Sequence, residues 1–182
     1  MVFPVETTDI SPHYLIFSNM VRGLPSIIKG PQNNAIHFSG SDVIITSGPA
    51  HLCILNIDQC KRGFSLSLWI KVQNHSEGTF LSTQKYSVND TLHGLQIKIR
   101  KGGELDVTVN VLDEAWQVQS VISTNIWTHL SVTWEKVNGL NIYINTIWAG
   151  HGSINVTPYS LMSTVPKEGM NYSLTVGGSD IR

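Results

Sequence analysis

The decisive stretch is Gly63-Phe64-Ser65-Leu66-Ser67-Leu68-Trp69-Ile70-Lys71-Val72. Phe64, Leu66, Leu68, Ile70 and Val72 recur at every second position, and Ser65, Ser67, Trp69 and Lys71 fall between them. An extended chain turns successive side chains to opposite faces, so this pattern predicts a strand with one face in a core. The same period recurs downstream. Leu95, Ile97 and Ile99 alternate with Gln96, Lys98 and Arg100, and Leu105, Val107, Val109 and Val111 alternate with Asp106, Thr108 and Asn110. Leu130, Val132 and Trp134 alternate with His129, Ser131 and Thr133, and Leu140, Ile142 and Ile144 with Asn141, Tyr143 and Asn145. Shorter candidates run from His13 to Phe17, Ala35 to Phe38, Val43 to Thr46, Trp116 to Ile122 and Ser173 to Val176. No long segment carries a helical apolar stripe, so almost no helix is expected.

Turn chemistry separates these runs. Lys101-Gly102-Gly103-Glu104 reads as a hairpin, and Asn138-Gly139 reads as a two-residue hairpin joining Trp134 to Leu140. Short alternating strands in this number predict an all-β fold of two antiparallel sheets, a sandwich or jelly roll. From Gly152 to Asn171 the periodicity lapses around Pro158, Pro166 and Gly169, which predicts a long loop.

Composition narrows the function. The chain has 182 residues, enough for one domain with a single core. Charged residues make up only 14% and the formal net charge is −1. That balance offers no electrostatic footprint for nucleic acid or an anionic membrane surface. No apolar run approaches the roughly 20 residues needed to span a bilayer. Met1 is followed by Val2-Phe3-Pro4-Val5-Glu6, too short for a signal-peptide core. The expectation is a mature form, a fragment or a mispredicted start.

Cys53 and Cys60 have six residues between them. One reading is a local disulfide, worth about 2–3 kcal/mol by loop closure. The other is a pair of reduced thiols. A zinc site would need two further ligands, and only His51 is near. The acceptor pattern for N-linked sugar occurs at Asn74, Asn89, Asn155 and Asn171, which favours export. The seven histidines share no metal-ligand spacing, and His129 reads as a structural hydrogen-bonding residue beside Trp127. No Ser-His-Asp order and no phosphate loop can be argued. The loop acids Asp42, Asp58, Asp90, Asp113, Glu114 and Asp180 form no contiguous calcium loop. Among the tryptophans, Trp134 shares the parity of Leu130 and Val132 and belongs in the core. Trp69 falls opposite Leu68 and Ile70, and Trp148 follows the Asn145 turn; either could stack on a sugar ring.

The order of motifs resembles the laminin G-like jelly-roll family, in the branch that shades into pentraxin-like domains. Cys53 to Cys60 followed by Gly63-Phe64-Ser65-Leu66-Ser67-Leu68-Trp69-Ile70-Lys71 looks like the family's cysteine pair leading into its aromatic strand. Trp127-Thr128-His129-Leu130-Ser131-Val132-Thr133-Trp134, then Asn138-Gly139-Leu140 and Tyr143-Ile144-Asn145, resembles its W-x-H … T-W … G-L-x-x-Y-x-N hairpin. Ala35-Ile36-His37-Phe38-Ser39-Gly40 resembles an early strand and turn, and Ser173-Leu174-Thr175-Val176-Gly177-Gly178 a late one. Two departures stand out. Thr146 occupies the place where the family has Gly after the hairpin Asn, so that turn must differ or carry strain. The chain also stops at Arg182, before the family's closing strand.

The resemblance implies a concanavalin A-like jelly roll: one domain over 1–182 with a core from about His13 to Gly178, lacking its last strand and belonging to a larger protein. It implies an extracellular recognition or adhesion module that binds a protein or glycan partner, in some members with calcium. No cofactor is assigned, and direct membrane insertion is not expected. One alternative is a glycan-cleaving hydrolase. Jelly-roll glucanases carry three carboxylates on one strand, and Glu104 and Asp106 match two of them. Thr108 and Val109 stand where the third would be, so the acid/base is missing and no catalytic residue is assigned. On that reading the two acids sit on a solvated outer face. The other alternative is a structural spacer within a receptor ectodomain.

Overall fold

The computed structural model describes residues 18–40, 42–48, 52–83, 85–86, 92–111, 114–156 and 172–177. Within them the chain is almost wholly strand: β1 (Ser18–Arg22), β2 (Ser26–Lys29), β3 (Asn34–His37), β4 (Val43–Gly48), β5 (Phe64–Lys71), β6 (Gly78–Ser82), β7 (Lys85–Tyr86), β8 (Leu92–Arg100), β9 (Glu104–Val111), β10 (Glu114–Val121), β11 (Trp127–Glu135), β12 (Gly139–Ile144), β13 (Ile147–Gly152), β14 (Ile154–Val156) and β15 (Tyr172–Val176). The one helical element among the described residues is a 3-10 turn, Ile57–Gln59. The expected strand from His13 to Phe17 lies outside the described residues.

The large sheet runs β1-β4-β15-β6-β8-β9-β10-β14, with β7 beside β8. The small sheet runs β13-β12-β11-β5, and β2 and β3 form a separate hairpin. Every pairing is antiparallel. The core lies between the two sheets. From the large sheet come Leu95, Ile97, Leu105, Val107, Val109, Trp116 and Val118, and from the small sheet Ile70, Leu130, Val132, Trp134, Leu140 and Ile142. These are the residues whose alternation announced the strands, because burial of one face creates the period-two pattern. Trp134 is buried, with the Trp116 ring edge-on at 5.2 Å and the Phe64 ring at 5.8 Å.

Cys53 and Cys60 are joined by a disulfide, with Cα atoms 4.7 Å apart. The loop it closes turns Leu55 and Ile57 inward, both almost fully buried. The bond therefore holds a hydrophobic plug at the entrance to β5.

On the β13 side of the sandwich the chain crosses directly between the sheets. Only Ser153 separates β13 of the small sheet from β14 of the large one, so the chain changes sheets at a corner. Close approach there depends on glycine: a Cβ on Gly150 would stand 2.6 Å from a Val118 methyl, and one on Gly152 would stand 2.5 Å from the Gln117 carbonyl.

One turn differs from expectation and another meets it. Asn138 keeps a negative φ and only Gly139 is left-handed, at 75°. The loop is Lys136-Val137-Asn138 between the paired Glu135 and Gly139, three residues leading into a left-handed glycine rather than a two-residue turn. Asn138 also donates its side-chain amide to the Glu135 carboxylate. The true two-residue hairpin is Asn145-Thr146, with φ of 50° and 70° between the paired Ile144 and Ile147. Both central residues are left-handed, as a type I′ turn requires, so Thr146 carries the strain that its place in the sequence foreshadowed.

Candidate functional site

The outward face of the small sheet gathers the exposed aromatic residues. Because β5 and β11 are in register, Trp69 lies directly opposite His129, and Ser67 opposite Ser131. The Trp69 and His129 rings are 5.0 Å apart at a tilt of 56°. The Ser67 Oγ and the His129 Nε2 are hydrogen-bonded at 2.8 Å, and the Ser67 and Ser131 hydroxyls meet at 3.3 Å. The His129 backbone is clamped to the strained turn: its N–H donates to the Asn145 Oδ1 at 2.9 Å, and the Asn145 N–H donates back to the His129 carbonyl at 2.8 Å.

The row continues across the sheet. Tyr143 pairs with Ser131 on one side and Trp148 on the other. A bulge sets this last pairing: the ladder passes from Ile142–Gly150 to Tyr143–Trp148, leaving Ala149 as the extra residue. Without it, Trp148 would oppose Ile144 and point toward the core. Trp69 is 40% exposed and Trp148 60%, while Trp116 and Trp134 are buried. Three strand spacings and a two-residue offset along the strands separate the two exposed indoles, about 16 Å. Beyond this row, the Asn141 Oδ1 accepts from the His151 Nδ1 at 3.1 Å, next to a shallow cleft of about 450 Å³ bordered by Arg62, Ser65, Thr133 and Asn141.

The arrangement offers aromatic faces, hydroxyls and an imidazole on an open, preformed surface. That suits a sugar, whose ring has one apolar face and a rim of hydroxyl groups. A serine and a histidine 2.8 Å apart also invite a nucleophilic reading. Among the described residues, however, no carboxylate bonds the His129 ring to orient it, and the pair stands on an open sheet face rather than in a water-excluding cleft.

Asp106 corrects the expectation of a solvated outer face. It is only 8% exposed. The Arg100 guanidinium donates to its Oδ2 and the Gln117 amide to its Oδ1, each at 2.8 Å. Glu104, opposite Arg100 and Val121, is exposed as expected. Val109 is fully buried in the core, so it offers that strand nothing as a third catalytic position.

The remaining acids are dispersed. Asp42 accepts from the backbone N–H of Leu24 and from the N–H and hydroxyl of Ser39, tying the loop before β2 to the turn before β4. Donation by the Ser39 and Leu24 amides holds its carboxyl below the usual aspartate range. Glu114 pairs with Lys136 at 2.7 Å. Among the described residues no three His, Cys, Asp or Glu side chains group as metal ligands. Asp90, Asp113 and Asp180 lie outside the described residues. Of the glycosylation candidates, Asn74 is on an exposed turn and Asn155 is in β14 opposite Ala115. Asn89 and Asn171 lie outside the described residues. Among the described residues, no helix is long and apolar enough to cross a membrane.

Sequence reasoning found Trp69 and Trp148 but missed their neighbours. Ser67, Ser131 and Tyr143 share the outward parity, and that signal was available. What parity lacks is register, which decides that Trp69 meets His129 and not Ser131.

With this geometry in view, comparison with known proteins places the chain. Residues 46–176 match the laminin G model of the concanavalin A-like lectin/glucanases superfamily, and the chain belongs to that superfamily. No curated protein sequence matches it significantly. Among solved structures, the fold is similar to the receptor-binding domain of botulinum neurotoxin C/D mosaic serotype, at 15% identity and a TM-score of 0.60 over 90% of this chain. It is also similar to the binding domain of Paraclostridial Mosquitocidal Protein 1, at 16% identity and a TM-score of 0.60 over 91% of this chain. A third is a botulinum neurotoxin type C structure whose cell entry depends on two ganglioside molecules, at 16% identity and a TM-score of 0.59 over 91%. This chain spans 39% to 40% of the length of those chains. At such identities the likeness is one of fold.

Proposed function

We propose that this chain is a non-catalytic, extracellular glycan-recognition module and that Trp69 is the principal sugar-stacking residue. The observation that carries the proposal is the Trp69–His129 pair. An exposed indole is steadied by an imidazole that is itself held through its ring by Ser67 and through its backbone by Asn145. A surface ordered in advance loses little side-chain entropy on binding. Tyr143 and Trp148 extend the platform, and Ser67 and Ser131 supply hydroxyls for ring substituents. The disulfide and the superfamily support an extracellular setting. A sugar attached at Asn74 would sit on an exposed turn. Glycan binding by a neighbour of the same fold supports the ligand class. The burial of Asp106 under Arg100 and Gln117 weighs against the hydrolase alternative.

The test is a glycan array followed by titration calorimetry, with and without calcium. Micromolar binding is expected to fall about tenfold in Trp69→Ala, a loss of about 1.4 kcal/mol, with thermal stability nearly unchanged. Silence across the array from a folded sample would leave the spacer reading standing. Binding that survives Trp69→Ala would move the site elsewhere.

A further inference from the structure

The shallow cleft of about 450 Å³ lies at the end of the small sheet where β5 begins, β11 ends and β12 starts. That volume falls among small-molecule sites, which span roughly 300–1,000 Å³. The cleft lining carries both signs of charge: Arg62 comes from the loop before β5, and Glu135 from the last position of β11. Ser65, Thr133 and Asn141 line it from three neighbouring strands in register. Arg62 and Ser65 are exposed, and Thr133, Glu135 and Asn141 are half-buried. Two of these groups are set in place by their neighbours. The Glu135 carboxylate accepts from the Asn138 amide. The Asn141 Oδ1 accepts from the His151 Nδ1 at 3.1 Å, which spends the carbonyl on the protein and turns the amide N–H groups to other partners.

We infer that this cleft is a second subsite of the glycan face, and that the ligand is a linear neutral oligosaccharide of at least three residues lying along β5 and β11. The inference rests on the proposed glycan function. Register fixes the layout. Trp69–His129, Ser67–Ser131 and Ser65–Thr133 are successive outward pairs on the two strands. Ser65 is four residues from Trp69, about 14 Å along the strand. A pyranose stacked on Trp69 cannot reach that far, and neither can a disaccharide. Between the two ends stand only the Ser67 and Ser131 hydroxyls, 3.3 Å apart. Side chains this small let a chain of sugars pass over them and still offer it hydrogen bonds.

The mixture of groups decides the chemical class. A sugar hydroxyl both donates and accepts. In the cleft it meets donors in Arg62 and Asn141, an acceptor in Glu135, and hydroxyls in Ser65 and Thr133 that do either. An ionised sugar fits worse. A carboxylate or sulfate drawn by Arg62 meets Glu135, and an ammonium drawn by Glu135 meets Arg62; like charges brought together repel. A neutral ring meets neither penalty, and its hydrogen bonds to the two ionised side chains are of the stronger, charge-assisted kind. The cleft therefore adds affinity for a long ligand beyond what stacking on Trp69 supplies.

Titration calorimetry of the whole chain tests the subsite. The probes are linear β-linked oligosaccharides of glucose, galactose and N-acetylglucosamine, two to six residues long, and their terminally sialylated forms. In the best-bound neutral series, affinity should rise about tenfold from the disaccharide to the tetrasaccharide and then level off. Arg62→Ala and Glu135→Gln should each weaken tetrasaccharide binding about tenfold while disaccharide binding and thermal melting stay unchanged. Trp69→Ala should weaken both lengths. A plateau already reached at the disaccharide overturns the proposal. So does full tetrasaccharide affinity in both folded variants, or a sialylated form that binds more tightly than its neutral parent. Should one variant misfold, the other decides. Binding that falls in Trp69→Ala but not in the cleft variants would refute the subsite and leave the stacking site intact. Binding confined to glycans outside this neutral set would refute the ligand class in the same way. Silence toward every glycan, on the array as in solution, would refute the glycan function itself and the subsite with it.

Discussion

Thr146→Gly should stabilise the protein, and the size of the gain follows from the turn. Thr146 sits at φ 70° in a two-residue hairpin whose other member, Asn145, is at 50°. Asparagine tolerates that region, whereas a β-branched residue does not. The left-handed conformation costs a non-glycine residue about 1–2 kcal/mol. Glycine removes that cost but makes the unfolded chain freer, which offsets about 0.5–1 kcal/mol. The Thr146 hydroxyl donates to the Asn145 carbonyl, but an exposed bond of this kind contributes only a few tenths of a kcal/mol. The net gain is about 0.5–1 kcal/mol, a rise of about 1–4 °C in Tm for a domain of this length. Thermal and urea unfolding of wild type, Thr146→Gly and Thr146→Ala would measure it. Alanine should fall between the other two, since it loses the branch but keeps the left-handed penalty. A Tm unchanged or lowered in Thr146→Gly would refute the strained turn. Because Asn145 clamps His129, the same variant should leave glycan affinity intact.

Replacing both cysteines by serine should cost about 2–3 kcal/mol in urea unfolding, because the Leu55 and Ile57 plug would lose its tether; a negligible loss would mean the plug is held by packing alone. Asp106→Ala should cost about 0.5–1.5 kcal/mol, since it removes two hydrogen bonds to a buried carboxylate while the half-exposed Arg100 and exposed Gln117 donors regain water, and a neutral outcome by the same assay would contradict the bonding found there. Asp42 has a pH signature: its carboxyl lies below the ordinary value in the folded state, so its contribution is present above the unfolded pKa of about 4 and is lost as pH falls through the folded one. Melting curves stepped through the acid range should therefore show a shallower acid loss in Asp42→Asn than in wild type, and parallel curves would count against the linkage.

The fold was legible wherever one face of a strand is buried and the other is wet. Phe64 to Val72 and Leu105 to Val111 carry that signature, and both formed the expected strands. Strands without it went unseen. Gly78–Ser82 begins on glycine, Ile147–Gly152 is broken by a bulge and two glycines, and Ser26–Lys29 is exposed throughout. Their pairing comes from neighbours, not from their own pattern. The candidate site was half legible. Parity put Trp69 outside and Trp134 inside, but Trp148 faces outward only because Ala149 bulges. The Asp106 ion pair depends on a diagonal contact with Arg100 and Gln117 that no local pattern contains.

The corner at Ser153 ties the two layers together at one end of the small sheet. A sheet open at both margins can be extended without end, which is the geometry of a fibril. Here, among the described residues, the chain turns from the β13 margin of the small sheet straight into the opposite layer, so the two layers are joined covalently at that end.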